Sequence, residues 1–287
     1  MILNRDIKNI IKSALKEDIG REDITTLLTI PYHFKVNTAI IAKEDGVLCG
    51  IDIIKRIFKL KRNVKFIQIK KDGDKFKKND YIAYINGEAR SILPYERVAL
   101  NFLSFLSGVA TTTTKFVEKI KNTNVKILDT RKTIPNLRIL QKYAVKIGGG
   151  FNHRKALSDA ILIKDNHLRA GKYIKDGKLD EERLAKCLYY LRNFKVNKIE
   201  IEIENFEEFK KVIKYTPDII MLDNFPIKEI KKAVEYRNKY YPNIKLEASG
   251  GINLDNVLDV AKTGVDYISI GALTHSVKAI DFSLEVL

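Results

Sequence analysis

Residues 198–224 read KIEIEIENFEEFKKVIKYTPDIIMLDN, and this stretch decides the fold. Lys198–Ile203 alternates isoleucine with glutamate, the period of a strand, and puts Glu200, Glu202 and Glu204 on one face. Phe206–Tyr215 repeats its apolar residues at helical spacing, and Asp218–Leu222 is a second apolar strand. Strand, helix and strand in so short a span form a β-α-β unit, the building block of a parallel sheet.

The same alternation extends both ways. Further strands are expected at Val125–Leu128, Ala160–Ile163, Ile244–Leu246 and Tyr267–Ile270, and helices at Leu137–Lys146, Glu181–Asn193, Ile227–Tyr240 and Leu254–Thr263. Each strand runs into polar chemistry at its C-terminal end. In order, these ends are Asp129-Thr130-Arg131-Lys132, Lys164-Asp165-Asn166-His167, Glu202 with Glu204, Asp223-Asn224, Glu247 with Ser249-Gly250-Gly251, and Gly271-Ala272. A site built from every successive strand end is the layout of an α/β barrel. A doubly wound sheet concentrates its site at one switch point. Neither a Gly-x-Gly-x-x-Gly turn after the first strand nor a Walker-type loop is present. Six units fall short of eight, so the barrel is either irregular or hides a strand near Thr111–Thr114.

Before residue 108 the chain has another character. A helix with apolar residues from Ile2 to Leu15, short strands at Ala39–Ala42, Gly46–Leu48, Val64–Ile69 and Tyr81–Ile85, and a helix at Ile53–Leu60 read as a small α+β layer. A longer helical pattern starts near Pro94, is interrupted at Gly108 and resumes through Ile120.

Composition narrows the function. At 287 residues and 45% hydrophobic the chain builds a sizeable core, and its net charge of +16 favours anionic partners. The lysines are dispersed, with no basic block or Arg-rich tail, so nucleic-acid binding is not the expected role. A solvated Lys-rich surface accounts for most of the surplus. Cys49 and Cys187 are far apart and form no metal-ligand spacing, which fits a reducing cytoplasm. No apolar run approaches the ~18 residues of a membrane span.

Arg131, Lys132, Arg154 and Lys164 form a dense cationic group at strand ends and one helix entry. Any one of them alone is an ordinary surface charge. Together they suit a small dicarboxylate, which paired guanidinium groups grip directionally. His153 sits beside Arg154 just after Gly148-Gly149-Gly150. With four histidines and no His-Glu-x-x-His, zinc is not expected. Buried carboxylates at Glu202 and Asp223 need partners: Mg²⁺, ribose hydroxyls or the lysines. Ser249-Gly250-Gly251 and Gly271-Ala272 offer backbone N–H groups to a phosphate.

Taken together, these motifs resemble the quinolinate phosphoribosyltransferases. The resemblance spans nearly the whole chain: Asp23-Ile24-Thr25-Thr26, Asp72-Gly73-Asp74, Glu96-Arg97, Asp129-Thr130-Arg131-Lys132-Thr133, Asn152-His153-Arg154, Ile163-Lys164-Asp165-Asn166-His167, Leu222-Asp223-Asn224, Glu247 with Ser249-Gly250-Gly251, and Gly271 through Ser276. Asn136 departs from it, standing where the family usually has glycine. The resemblance implies an N-terminal α/β sandwich-like domain, 1–107 with 275–287, and an irregular, incomplete α/β barrel, 108–274. It implies a cytoplasmic, Mg²⁺-dependent homodimer with shared active sites, or a higher oligomer, acting on quinolinate and phosphoribosyl pyrophosphate. Arg97 would reach the partner's site. Thr130, Arg131, Lys132, His153, Arg154 and Lys164 would line the quinolinate and diphosphate pocket. Glu202 and Asp223 would address ribose and Mg²⁺, directly or through water. Ser249, Gly250, Gly251, Gly271 and Ala272 would hold the 5′-phosphate, and Lys132, Lys164, Glu202 and Asp223 would carry the catalysis. Alternative readings are the related molybdenum-transport-associated branch, another sugar-phosphate barrel enzyme and a basic nucleic-acid-binding module. The intact Lys164-Asp165-Asn166-His167 argues against the first.

Overall fold

The computed structural model describes residues 5–175, 178–193 and 198–287, which form two compact units. One holds the chain up to Thr114 together with Lys132–Gly150 and Leu273–Leu287; the other holds Lys115–Arg131 and Phe151–Ala272. Segment 132–150, expected within the barrel domain, therefore groups with the first unit.

In the first unit, helix α1 (Arg5–Ile19) buries Ile7, Ile11 and Leu15, one stripe at four-residue spacing. Ile2 and Leu3 lie outside the described residues. Helix α2 (Ile24–Thr29) follows, capped by Asp23, whose carboxylate accepts from Thr26 N–H. Strands β1 (Lys35–Ala42), β2 (Gly46–Val47), β3 (Val64–Gln68), β4 (Lys75–Phe76) and β5 (Tyr81–Glu88) surround helix α3 (Ile51–Phe58) in sequence. The chain's last strand, β14 (Phe282–Val286), pairs antiparallel with β1, giving the order β14-β1-β5-β3. With partners on both sides, β1 buries Ala39 and Ile40 completely.

Helix α4 runs unbroken from Ala89 to Lys119, which corrects three expectations. It starts before Pro94 rather than at it. It is not interrupted at Gly108, where an added Cβ would overlap Lys278 O and stand 3.2 Å from Ala279 Cα. Glycine there admits the returning C-terminal segment and does not end the helix. Nor is a strand hidden at Thr111–Thr114, which is helical. Thr113 and Thr114 satisfy their hydroxyls by donating to Val109 O and Ala110 O one turn back, at 2.8 and 2.9 Å. Helix α5 (Arg138–Ile147) completes this unit's larger elements. Ahead of it Asn136 takes the left-handed φ of +65°, which asparagine tolerates better than most residues.

The second unit is built on six parallel strands: β6 (Lys126–Leu128), β7 (Ile161–Ile163), β10 (Ile199–Ile203), β11 (Ile219–Asp223), β12 (Lys245–Ser249) and β13 (Tyr267–Ser269). A two-residue ribbon, β8 (Ile174–Lys175) with β9 (Lys178–Leu179), lies outside that sheet. The order is β6-β13-β12-β11-β10-β7. Read from β7, the strands succeed one another in chain order, and the last, β13, pairs back onto the first, β6. That cyclic order is a barrel's, without the reversal of a doubly wound sheet. Among the described residues the ring is open between β6 and β7; Phe151 makes an isolated parallel bridge to Leu128 on that free edge of β6. The barrel is incomplete, as expected from six units.

Helices α6 (Asp165–Ala170), α7 (Glu181–Asn193), α8 (Phe206–Val212), α9 (Ile227–Tyr240) and α10 (Val257–Ala261) alternate with these strands, and α11 (Ala272–His275) follows β13. The alternation of β10 has its expected result. Ile201 and Ile203 are buried, as are Phe209 and Val212 of the adjoining α8, while the glutamates take the opposite face. No helix among the described residues is long and apolar enough to cross a membrane.

Candidate functional site

The acidic face of β10 points at the same space as side chains from its neighbours. Glu200 is buried, Glu202 half-buried, and Glu204, past the strand end, exposed. Along this gradient the groups change role. Glu200 Oε2 accepts from His153 Nε2 at 2.9 Å, and Glu202 pairs with Lys164 Nζ, which enters from the end of β7. The ion pair at a half-buried strand end neutralises a carboxylate that would be costly there alone.

His153 is held from three sides. Asp129, fully buried just past the end of β6, accepts from His153 N–H at 2.9 Å and from Asn152 Nδ2 at 2.6 Å. The Arg154 N–H donates to His153 Nδ1 at 2.8 Å. Nδ1 is therefore the acceptor nitrogen and the proton sits on Nε2, facing Glu200. Glu247 of β12, also fully buried, brings Oε2 to 3.7 Å from that Nε2, and its Oε1 accepts from Ser269 Oγ of β13 at 2.6 Å. Burial, then the neighbouring Glu200 charge, pushes the Glu247 carboxyl up to about 8.

Three of the cations, Arg131, Arg154 and Lys164, lie on the same unit. Burial and the nearby Arg131 guanidinium lower the Arg154 pKa from its ordinary value, while Glu200 and Glu202 oppose the shift. The charge of Arg131 is felt at Arg154, and two guanidinium groups that repel each other in this way favour an anion. Arg154 also donates to Ala160 O at 3.2 Å. His167 plays a local part: its Nδ1 accepts from the Lys164 N–H at 2.9 Å at the start of α6.

The glycine loop after β12 is shaped by its neighbour strand. Asn224, at the end of β11, adopts φ +55° and donates its N–H to Ser249 O at 2.8 Å. Its side-chain amide donates to Asp223 Oδ2 at 2.9 Å. Gly250 takes φ +90°, and an added Cβ would overlap Asn224 Oδ1 and lie 2.8 Å from Asn224 N. Gly251, at φ +61°, has open space where its Cβ would be. Gly250 is therefore required by close approach, Gly251 by backbone conformation alone.

Of the residues singled out in the sequence, Thr130, Arg131, His153, Arg154, Lys164, Glu202, Asp223, Ser249, Gly250, Gly251, Gly271 and Ala272 belong to the barrel unit, on or just beyond its strand ends. Arg97, exposed on α4, and Lys132, also exposed, belong to the other unit. There the Lys132 carbonyl accepts from Thr274 Oγ1 at 2.7 Å, and Gln141 Nε2 donates to Thr274 O at 2.6 Å. Asp129 and Glu247 were read only as members of strand-end motifs, without a role of their own, and Ser269 was not singled out. Ser269 is a single serine in an apolar strand and carries no sequence signal. Asp129 and Glu247 sat within motifs whose more conspicuous members drew the reading.

Oxygen donors suit magnesium, and Glu202 and Asp223 supply carboxylates near the ends of adjacent parallel strands. Among the described residues, His153, Glu200 and Glu247 also bring potential ligand atoms within 4.8 Å of one another. That group has two buried carboxylates and a half-buried imidazole, and suits magnesium poorly.

Two family models match the chain: the N-terminal domain of quinolinate phosphoribosyl transferase over residues 23–107, and its C-terminal domain over residues 109–285. A probable nicotinate-nucleotide pyrophosphorylase [carboxylating] from Methanocaldococcus jannaschii is 44% identical over 284 residues, covering 97% of this chain and 96% of its own. A probable enzyme of the same name from Bacillus subtilis is 43% identical, covering 98% and 93%. The solved nicotinate-nucleotide pyrophosphorylase from Ehrlichia chaffeensis is 42% identical and superposes with a TM-score of 0.90, covering all of both chains.

Proposed function

Because the chain belongs to the quinolinate phosphoribosyl transferase family, we propose that it joins quinolinate to phosphoribosyl pyrophosphate with loss of CO₂, yielding nicotinate mononucleotide and pyrophosphate. The observation that carries this reading is the pairing of two unlike anion sites on one barrel unit. Arg131, Arg154 and Lys164 gather cationic charge beside Glu202, and the Gly250–Gly251 loop opens at the end of β12.

The cationic group grips the two carboxylates of quinolinate, and the glycine loop takes the 5′-phosphate through backbone N–H groups. Holding two anions that repel each other in solution is the main task, and it needs no covalent nucleophile. The ring nitrogen attacks C1′ as the C1′–O bond to pyrophosphate breaks, through a transition state with oxocarbenium character. Glu202 and Asp223 offset charge on the ribose, and Lys132 and Lys164 offset charge on the leaving group. The alkylated ring is then an electron sink. The C2–carboxylate bond breaks, its electron pair stays on C2, and a proton replaces the lost CO₂. Glu202 and Asp223 would also hold Mg²⁺, directly or through water, which neutralises diphosphate charge when bound.

We further propose a homodimer in which Arg97 of one chain completes the site of its partner. Arg97→Ala and Lys164→Ala, each inactive alone, then regain activity when mixed, since heterodimers carry one intact site. Random reassortment predicts about a quarter of the wild-type rate. No recovery after exchange of subunits refutes the shared site.

The purified protein with quinolinate, phosphoribosyl pyrophosphate and Mg²⁺ should release CO₂ and nicotinate mononucleotide, and nicotinate in place of quinolinate should give little product. An inert quinolinate reaction sinks the reading.

A further inference from the structure

Residues 132–134 carry Lys132 between β6 and α5 and belong to no strand or helix. Two buried side chains of the same unit reach this loop. Thr274 of α11 donates its hydroxyl to Lys132 O at 2.7 Å. Gln141 of α5 accepts from Ile134 N–H through Oε1 at 2.8 Å, and donates through Nε2 to Thr274 O at 2.6 Å. The four residues close a circuit: both ends of the loop segment bond to a threonine and a glutamine that bond to each other. The partners dictate the side chains. A backbone N–H needs an acceptor and a carbonyl needs a donor, and an amide supplies both; a hydroxyl has a single proton, spent here on Lys132 O. Gln141 is buried beside Leu140, Ala144 and Val145 of the same helix. Packing alone asks for an apolar residue there, so the amide is present for its two bonds.

We infer that Thr274 and Gln141 are positioning residues, a buried hydrogen-bonded brace that fixes the backbone from which Lys132 reaches the diphosphate. This inference rests on the proposed reaction for its kinetic readout only. Lys132, Thr133 and Thr274 make other interactions as well, and Arg138 Nε donates to Thr133 Oγ1 at 3.0 Å, so the loop does not depend on the brace alone. What the brace supplies is direction. The Lys132 side chain is exposed, and a lysine ammonium on its long flexible stem is aimed only as well as its Cα is held. Thr274 holds the carbonyl of that same residue, and Gln141 holds the peptide two residues on. Charge on the leaving diphosphate grows in the transition state, so a cation set slightly off its line costs turnover more than it costs binding.

Thr274→Val keeps the shape and removes the hydroxyl, whereas Thr274→Ser keeps the hydroxyl. Thr274→Val should lower kcat about fivefold, the worth of one hydrogen bond, and change KM for quinolinate by less than about twofold. Thr274→Ser should return kcat close to the wild-type value. Gln141→Leu should also lower kcat, and Thr274→Val combined with Gln141→Leu should cost no more than the worse single variant, as expected of one connected unit. Hydrogen exchange of the intact protein, read by mass spectrometry on peptides covering residues 132–134, should be faster in Thr274→Val and in Gln141→Leu and unchanged in Thr274→Ser. An unchanged kcat in Thr274→Val, the milder variant, overturns the inference. So does a loss that Thr274→Ser does not repair, or losses that add in the double variant. The exchange arm needs no substrate: an inert wild-type enzyme refutes the reaction alone, while unchanged exchange in both variants refutes the brace.

Discussion

Gly250 and Gly251 are adjacent, both have positive φ, and the structure predicts different consequences for replacing them. In Gly251→Ala the new methyl meets nothing within 4 Å, so only the left-handed backbone is penalised, by about 1–2 kcal/mol. In Gly250→Ala a comparable backbone cost is joined by overlap with the Asn224 side chain and a 2.8 Å approach to Asn224 N. Asn224 cannot retreat freely. Its N–H is bonded to Ser249 O and its amide to Asp223, so relief means breaking one bond or the other. Each is worth about 1 kcal/mol. The total for Gly250→Ala comes to about 2–3 kcal/mol, against about 1–2 for Gly251→Ala. Urea unfolding of both variants reads the difference as a shift in midpoint at constant slope. Kinetics should show KM for phosphoribosyl pyrophosphate raised about tenfold in Gly250→Ala, with KM for quinolinate less affected, because the displaced loop is the phosphate side. Adding Asn224→Gly removes the obstructing side chain and should recover part of the lost stability, a coupling expected only of groups in contact. Equal losses in the two single variants, or additive losses in the double one, refute the reasoning.

Glu247 makes stability depend on pH. Its carboxyl keeps its proton in the folded chain up to about 8, whereas the unfolded chain releases it near the ordinary glutamate value of 4.5. The folded state then binds more protons between these values, so stability falls as pH rises through that window, by at most about 4–5 kcal/mol. Glu247→Gln stays neutral and should lack that part of the slope; parallel urea profiles for variant and wild type between pH 5 and pH 8.5 would contradict it. Lys164→Ala should depress kcat, since Lys164 faces Glu202 at the reacting end, whereas Arg154→Ala should chiefly raise KM for quinolinate. A pure binding defect in the lysine variant would count against these roles.

The strand ends were legible because alternation is a local signal. Six apolar runs, each followed by polar residues, announced both the parallel sheet and the face bearing the site, and the cyclic order from β7 to β6 agrees. What lay hidden depended on contacts distant in sequence. Gly108 reads as a helix breaker until Lys278 O is found against it. Thr111–Thr114 is β-prone in composition, but its hydroxyls return to the helix backbone. Glu247 and Ser269 are 22 residues apart and meet only through the pairing of β12 with β13. The grouping of 132–150 with the first unit likewise follows from packing, which no periodicity encodes.

The pairing of β1 with β14 has a consequence for how the chain is made. Lys43, just after β1, meets Glu285 of β14 across 242 residues of sequence. At ordinary translation speeds β1 therefore emerges some 10–50 s before its partner exists. Through that interval one edge of an apolar strand stands bare, a template for strands of other nascent chains. The barrel strands are made meanwhile, so the first sheet to be started is the last to be closed. A chain stalled before Phe282 would carry every residue of the candidate site and still present a sticky edge to its neighbours.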